Sequence, residues 1–123
     1  MHIPILIVDS NPTAHLLLQM VLDRAGYRVL IARTGREAVQ LIHKTKPALA
    51  LVDYHLSGMD GAELCVRLNA STSTRYLPLI LTSDDYEGHR AARWLPVQAY
   101  LRKPVSPKDM LKVIKQTLSP VRA

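Results

Sequence analysis

Ala48-Leu49-Ala50-Leu51-Val52-Asp53-Tyr54-His55-Leu56-Ser57-Gly58-Met59-Asp60-Gly61-Ala62-Glu63 is the stretch on which the fold turns. Residues 48–52 are all apolar, so neither face of this short run offers a side chain to water; that is the pattern of a strand covered on both sides. A carboxylate, Asp53, follows at once. Glu63 stands three residues after Asp60, the spacing of an Asp-led capping box that opens a helix. The unit is strand, polar residue, loop, helix.

Outward from this unit the pattern repeats four more times. Strands are predicted at Ile3–Val8 and at residues 28–32, 79–82 and 98–101. The first helix reads Ala14, Leu17, Leu18, Val21, Leu22 and Ala25 on one face, with Asn11 as N-cap, Pro12 in the first turn and Gly26 as the stop. Helix two opens with Thr34 and Glu37. Helix five opens at Ser106-Pro107 and buries Met110, Leu111, Ile114 and Leu118. Helix four, about residues 85–95, has only Ala91, Ala92, Trp94 and Leu95 as a stripe and is expected to be the least firmly held. Five strand–helix pairs with short connections make an α/β domain, a three-layer doubly wound parallel sheet with right-handed crossovers.

The chain's 123 residues, 48% of them apolar, suit one core. The domain is expected over 1–119, with 120–123 as a tail. Pro4 and Asp9 interrupt the apolar N-terminal run, too short for a membrane span or signal core, so a cytoplasmic protein without membrane contact is expected. The single cysteine, Cys65, lies in an apolar helical stripe and reads as a buried thiol. Charge is uneven: residues 1–88 hold eight Lys/Arg against nine Asp/Glu, and residues 89–123 eight against one. That basic third suits an acidic protein surface or, as a rival, nucleic acid. No helix-turn-helix, stacking aromatic pair or zinc-finger spacing accompanies it, so no specific nucleic-acid binding is expected. A glycine-rich phosphate loop and a Gly-x-Ser-x-Gly elbow are likewise missing from the sequence, which argues against an enzyme on this fold.

In doubly wound sheets functional groups gather beyond the carboxyl ends of the strands. Those ends offer Asp9, Asp53, Thr82 and Lys103: two carboxylates, a hydroxyl and an ammonium. With Ile5-Leu6-Ile7-Val8-Asp9-Ser10-Asn11-Pro12, Leu51–Gly61, Leu81-Thr82-Ser83 and Tyr100-Leu101-Arg102-Lys103-Pro104 in this order and spacing, the sequence resembles the response-regulator receiver domains of two-component signalling over its whole length. The resemblance implies a flavodoxin-like (βα)5 fold with strand order 2-1-3-4-5. It further implies that Asp53 accepts a phosphoryl group from a histidine kinase, a phosphotransfer protein or a small phosphodonor. Thr82 and Lys103 would bind the phosphoryl oxygens, and Thr82 with Tyr100 would form the switch. Mg2+ would sit on Asp9, Asp53 and the His55 backbone carbonyl. Pro104 would follow a cis peptide bond. For Tyr100 the alternative is an ordinary half-buried strand aromatic.

The sequence also departs from the family. Receiver domains carry two adjacent acids after the first strand, and this chain has Asp9-Ser10; a lost carboxylate weakens a magnesium site. Ser10 could still hold a metal-bound water, and Asp84 could reach toward the site. Two readings therefore stand, a phosphoacceptor with weak metal dependence and a pseudo-receiver that binds a partner without phosphorylation. Ser57, where the family most often has proline, is expected to free its loop slightly. His55 stands where receivers can tune dephosphorylation, as could Asp84; the alternative for His55 is a solvent-facing loop residue. The face of helix four, strand five and helix five, bearing Arg90, Arg93, Arg102, Lys108, Lys112 and Lys115, would dock an acidic output protein. Like charges there disfavour a symmetric dimer through this face unless Asp84, Asp85 and Glu87 at the start of helix four cross over to meet them. With only 119–123 after the last helix, no output domain is expected within the chain.

Overall fold

The computed structural model describes residues 2–119, with Pro12, Ala14 and His15 described in their backbone alone. The tail assigned to 120–123 lies outside the described residues. Ten elements alternate: β1 (Ile3–Val8), α1 (Pro12–Arg24), β2 (Tyr27–Ala32), α2 (Gly35–Thr45), β3 (Leu49–Asp53), α3 (Gly61–Ala70), β4 (Leu79–Ser83), α4 (Tyr86–Ala91), β5 (Ala99–Arg102) and α5 (Pro107–Leu118). The strands pair in parallel in the order β2-β1-β3-β4-β5. This is the doubly wound, flavodoxin-like arrangement, and β1 and β3 lie side by side at its centre.

Each helix starts where a side chain satisfies an otherwise unpaired N–H, a device that contributes about 1 kcal/mol per cap. Asn11 accepts from the Thr13 N–H at 3.0 Å, Thr34 from Glu37 at 3.1 Å, Asp60 from Glu63 at 2.7 Å, Asp85 from Gly88 at 2.9 Å and Ser106 from Asp109 at 3.3 Å. After α1 the chain turns through Gly26 at a φ of 93°, a left-handed value that glycine adopts without strain.

The core divides by strand alternation. One side of the sheet buries Leu6, Val8, Val52 and Leu81 with Ala38 and Ile42 of α2 and Leu64, Cys65 and Leu68 of α3. The other buries Ile5, Ile7, Leu51 and Ile80 with Leu18 and Leu22 of α1 and Met110 and Ile114 of α5. Each fully buried large side chain contributes about 1.5–3 kcal/mol. Desolvation pushes the Cys65 thiol up to about 12, so it stays protonated and inert. Among the described residues no helix is long and apolar enough to cross a membrane.

Several expectations need correction. Leu17 is 57% exposed and Ala25 is exposed too; the inward face of α1 is carried by Leu18, Leu22 and partly Val21. Helix four is shorter than 85–95, giving way after Ala91 to turns, and Trp94 points to solvent at 85% exposure. Six residues offer too little apolar surface to turn a tryptophan inward. Four of the strands shift by a residue at one or both ends: β3 spans Leu49–Asp53, β4 runs on to include Ser83, β2 starts at Tyr27 and β5 spans Ala99–Arg102. Ser57 is not in a freed loop: it forms an isolated parallel bridge with Thr34.

Candidate functional site

Asp9 and Asp53 emerge from adjacent central strands, so extending the β1–β3 register by one residue brings their side chains together. Lys103 reaches them from beyond β5. Its Nζ donates to Asp9 Oδ2 at 2.7 Å and to Asp53 Oδ2 at 2.9 Å, while the two carboxylates keep only 3% and 8% of their side-chain surface exposed. The second oxygens are held by backbone: Asp9 Oδ1 accepts the Asn11 N–H at 2.8 Å, and Asp53 Oδ1 the His55 N–H at 3.1 Å. Lys103 is itself fixed by its N–H donating to the Ser83 carbonyl at 2.8 Å, and its peptide bond to Pro104 is cis.

Burial pushes the Asp53 carboxyl above its ordinary value, and the Lys103 ammonium offsets that only in part. Burial also opposes the charge on Lys103. There the two carboxylates prevail and hold the ammonium above its usual value. The site is thus a buried anionic pair with one cation between its members, a layout that costs desolvation and is retained at functional sites.

Thr82 is the strand-paired neighbour of Asp53 and is 4% exposed, so the hydroxyl-bearing residue sits at the mouth of the same cluster. Tyr100 is half-buried on β5, paired with Leu81, whereas Thr82 is paired with Leu101. By alternation the two side chains leave opposite faces of the sheet. Their connection runs instead through the end of β4: the Tyr100 hydroxyl donates to the carbonyl of Ser83, the residue next to Thr82, at 3.3 Å.

The remaining candidates fall elsewhere. The Ser10 hydroxyl donates to the Arg33 carbonyl at 3.0 Å, turned to the β2 side of the loop. The imidazole of His55 pairs with Asp85, Nε2 to Oδ2, at 2.6 Å, and is not a free loop histidine. Asp85 earns this role through its other oxygen, which accepts from both Gly88 N–H and the Ser83 hydroxyl. Asp84 is exposed, and its carboxylate lies with His55 and Asp85 in a group whose donor atoms are all within 4.8 Å of one another. Asp85 and Ser83 were not among the candidates.

The hydrogen bond to Asp85 raises the His55 pKa above its ordinary 6.5. On the Asp85 side, the Gly88 N–H contributes most, and His55 after it, to a carboxyl below its usual value. A histidine raised on folding adds stability that is complete below about 6.5 and is lost as pH rises through its folded value. An NMR titration of the His55 ring is expected to give a midpoint above 6.5, returning toward 6.5 in Asp85→Asn. An unchanged midpoint in that variant would show that the pair does not form in solution.

A family model described as the response regulator receiver domain matches residues 5–115. The chain belongs to that family. This receiver domain of two-component signalling is 32% identical over 117 residues to protein PilH of Pseudomonas aeruginosa, covering 94% of this chain and 97% of PilH. It is 34% identical over 116 residues to the phosphate regulon transcriptional regulatory protein PhoB of the same organism, covering 93% of this chain and 51% of PhoB. A crystal structure described as a response regulator from Chloroflexus aurantiacus superposes with a TM-score of 0.92 at 33% identity, over 98% of this chain and all of that one. The receiver thus matches PilH over nearly its full length but spans only about half of PhoB.

Proposed function

We propose that this receiver domain accepts a phosphoryl group on Asp53. The observation that carries the reading is the Lys103 ammonium, bound at once to Asp53 and to its acidic neighbour Asp9 at 2.9 and 2.7 Å. A carboxylate is a weak nucleophile, but it can attack phosphorus when it is held in line and the charge on the transferring oxygens is neutralised. The Asp53 oxygen forms the new P–O bond. The bond from phosphorus to the donor, an imidazole nitrogen or an acyl oxygen, breaks, and the leaving group keeps the electron pair. Lys103 exchanges a carboxylate contact for a phosphoryl oxygen, and Thr82 supplies a directed O–H donor. The product is an acyl phosphate whose added charge of about −1 to −2 draws Thr82 toward it.

Asp9, Asp53 and the His55 carbonyl would hold Mg2+, and the buried acidic pair fits a hard, oxygen-seeking cation. When bound, the ion neutralises phosphoryl charge. Ser10 supplies no carboxylate and has its hydroxyl committed to Arg33, which supports a weak site. The domain acts as a signalling module and not as an enzyme with turnover on a separate substrate. Its donor is a histidine kinase or phosphotransfer protein in the cytoplasm. Its output is an acidic protein surface on the α4–β5–α5 face, where Arg90, Arg93, Arg102, Lys108, Lys112 and Lys115 are all exposed.

Incubation with acetyl phosphate and Mg2+ is expected to add one phosphate by intact mass, and Asp53→Asn to abolish it. Ser10→Asp is expected to lower the magnesium needed for half-maximal labelling about tenfold, as one added carboxylate ligand implies. No adduct at saturating donor and metal, in either the wild type or Ser10→Asp, overturns the phosphoacceptor reading and leaves a partner-binding pseudo-receiver.

A further inference from the structure

The Tyr100 ring does not stand alone on its strand. The imidazole of His89, from α4, lies stacked against it with ring centroids 4.9 Å apart and planes 17° from parallel. His89 is in turn met edge-on by Tyr86 at 6.5 Å and 85°, and the Arg90 guanidinium lies 5.9 Å from the Tyr86 ring centre. A run of three rings therefore joins the first turn of α4 to the middle of β5. Apart from this run, the Tyr100 side chain is held by packing against the Leu81 side of the core and by the long hydrogen bond from its hydroxyl to the Ser83 carbonyl.

The surroundings of the stack give it leverage. A cleft of about 120 Å³ is bounded by Asp85, Tyr86 and Arg102, and one of about 260 Å³ by Ala92, Arg93 and Val97; His89 and Tyr100 line both. The α4 half of the stack is on a helix of only six residues, whose Gly88 lies so near β4 that an added Cβ would overlap the Ser83 side chain. A short helix pressed on β4 at one glycine and stacked on β5 through one imidazole is sensitive to where Tyr100 points.

We propose that His89 is a positioning residue for the switch: its stacked ring holds Tyr100 in the half-buried orientation seen here and sets how much of the phosphorylated-state orientation exists before phosphorylation. The inference rests on Tyr100 being the switch aromatic. An aromatic stack of this geometry accounts for a factor of about 2 to 12 in a local equilibrium. Losing it transfers that factor to the phosphorylated-state orientation, as for any two-state element biased by one contact. When Tyr100 leaves the stack, α4 loses its partner on β5, the lining that the two clefts share is removed, and the basic face bearing Arg90 and Arg93 is redrawn. His89 thereby links the site's anion to the output surface without touching it.

The test uses 3-fluorotyrosine labelling and fluorine NMR, with the Tyr100 resonance assigned by its loss in Tyr100→Phe. Wild type, His89→Ala, His89→Gln and His89→Phe are compared with and without acetyl phosphate and Mg2+, with the adduct followed by mass. In His89→Ala and His89→Gln the unphosphorylated Tyr100 signal is expected to move part of the way to its phosphorylated position, raising the ratio of phosphorylated-like to resting orientation about 2- to 12-fold. His89→Phe retains a flat ring and is expected to behave as wild type. A Tyr100 signal that responds to phosphorylation but is indifferent to His89→Ala and His89→Gln overturns the positioning role alone. A wild-type signal that stays fixed despite a full adduct removes the switch reading and this inference with it. His89 is exposed, and circular dichroism melting checks that each variant remains folded.

Discussion

Lys103→Met is expected to take up phosphate from acetyl phosphate roughly 10²–10³-fold more slowly than wild type, the usual effect of deleting one preorganised charge donor. Methionine keeps most of the stem's volume, so the change isolates the ammonium. Two things are lost together. The transferring oxygens lose their cation, and in the resting protein Asp9 and Asp53 lose the ammonium that bridges them. Without the ammonium, Asp53 keeps the burial that disfavours its charge and loses the partner that offsets it, so it binds a proton more readily in the variant. The sign of the pH effect follows. Asp53 is already above its ordinary value in the wild type, and removing Lys103 raises it further. An acid whose folded value exceeds its unfolded one is least destabilising at low pH and costs stability as pH rises. Urea unfolding in magnesium-free buffer should therefore show a deficit of roughly 2–4 kcal/mol at pH 7 that narrows toward pH 4. Labelling at the wild-type rate would show that Lys103 does not serve the transferred group, and a pH-independent deficit would show that the three groups are not coupled.

Features that depend on neighbours in the chain were legible in the sequence; those that depend on register between distant segments were legible only in part. Asn11, Thr34, Asp60 and Ser106 cap helices through partners two or three residues away, and the spacing alone reveals them. The strands were found because five short apolar runs fit nothing else, but their ends slipped by a residue because hydropathy does not say where a ladder stops. In α1, apolar residues at 16, 17, 18, 20, 21 and 22 surround most of the helix, so pattern could not decide that Leu17 faces out and Leu18 in. The convergence of Asp9, Asp53 and Lys103 spans up to 94 positions of chain and was foreseen only because parallel strands deliver their ends to one edge. The His55–Asp85 pair and the His89–Tyr100 stack had no such rule to announce them. Each joins two loops or elements whose relative height the sheet alone determines.

Gly61→Ala is expected to cost about 3 kcal/mol, because the added methyl would strike backbone and not a yielding side chain. A Cβ built at Gly61 overlaps the Asp53 carbonyl oxygen and lies 2.8 Å from Tyr54 Cα and 2.9 Å from the Asp53 carbonyl carbon. The close approach has a cause: the Gly61 N–H donates to the Tyr54 carbonyl at 2.9 Å, drawing the first turn of α3 onto the end of β3. Room for a methyl can be made only by moving that turn or moving Asp53. Gly58 is the control, since its surroundings are open and only its φ of 82° resists a side chain, for which about 1–2 kcal/mol is the expected cost. Urea denaturation separates the two effects in size, and phosphodonor labelling separates them in kind. Gly61→Ala that remains folded should label more slowly, because its clash is with the residue that carries the nucleophile; Gly58→Ala should label as wild type. Equal stability losses at the two positions would mean that α3 and β3 are less tightly joined than the geometry shows, and normal labelling in Gly61→Ala would mean that the strain relaxes into α3 and spares Asp53.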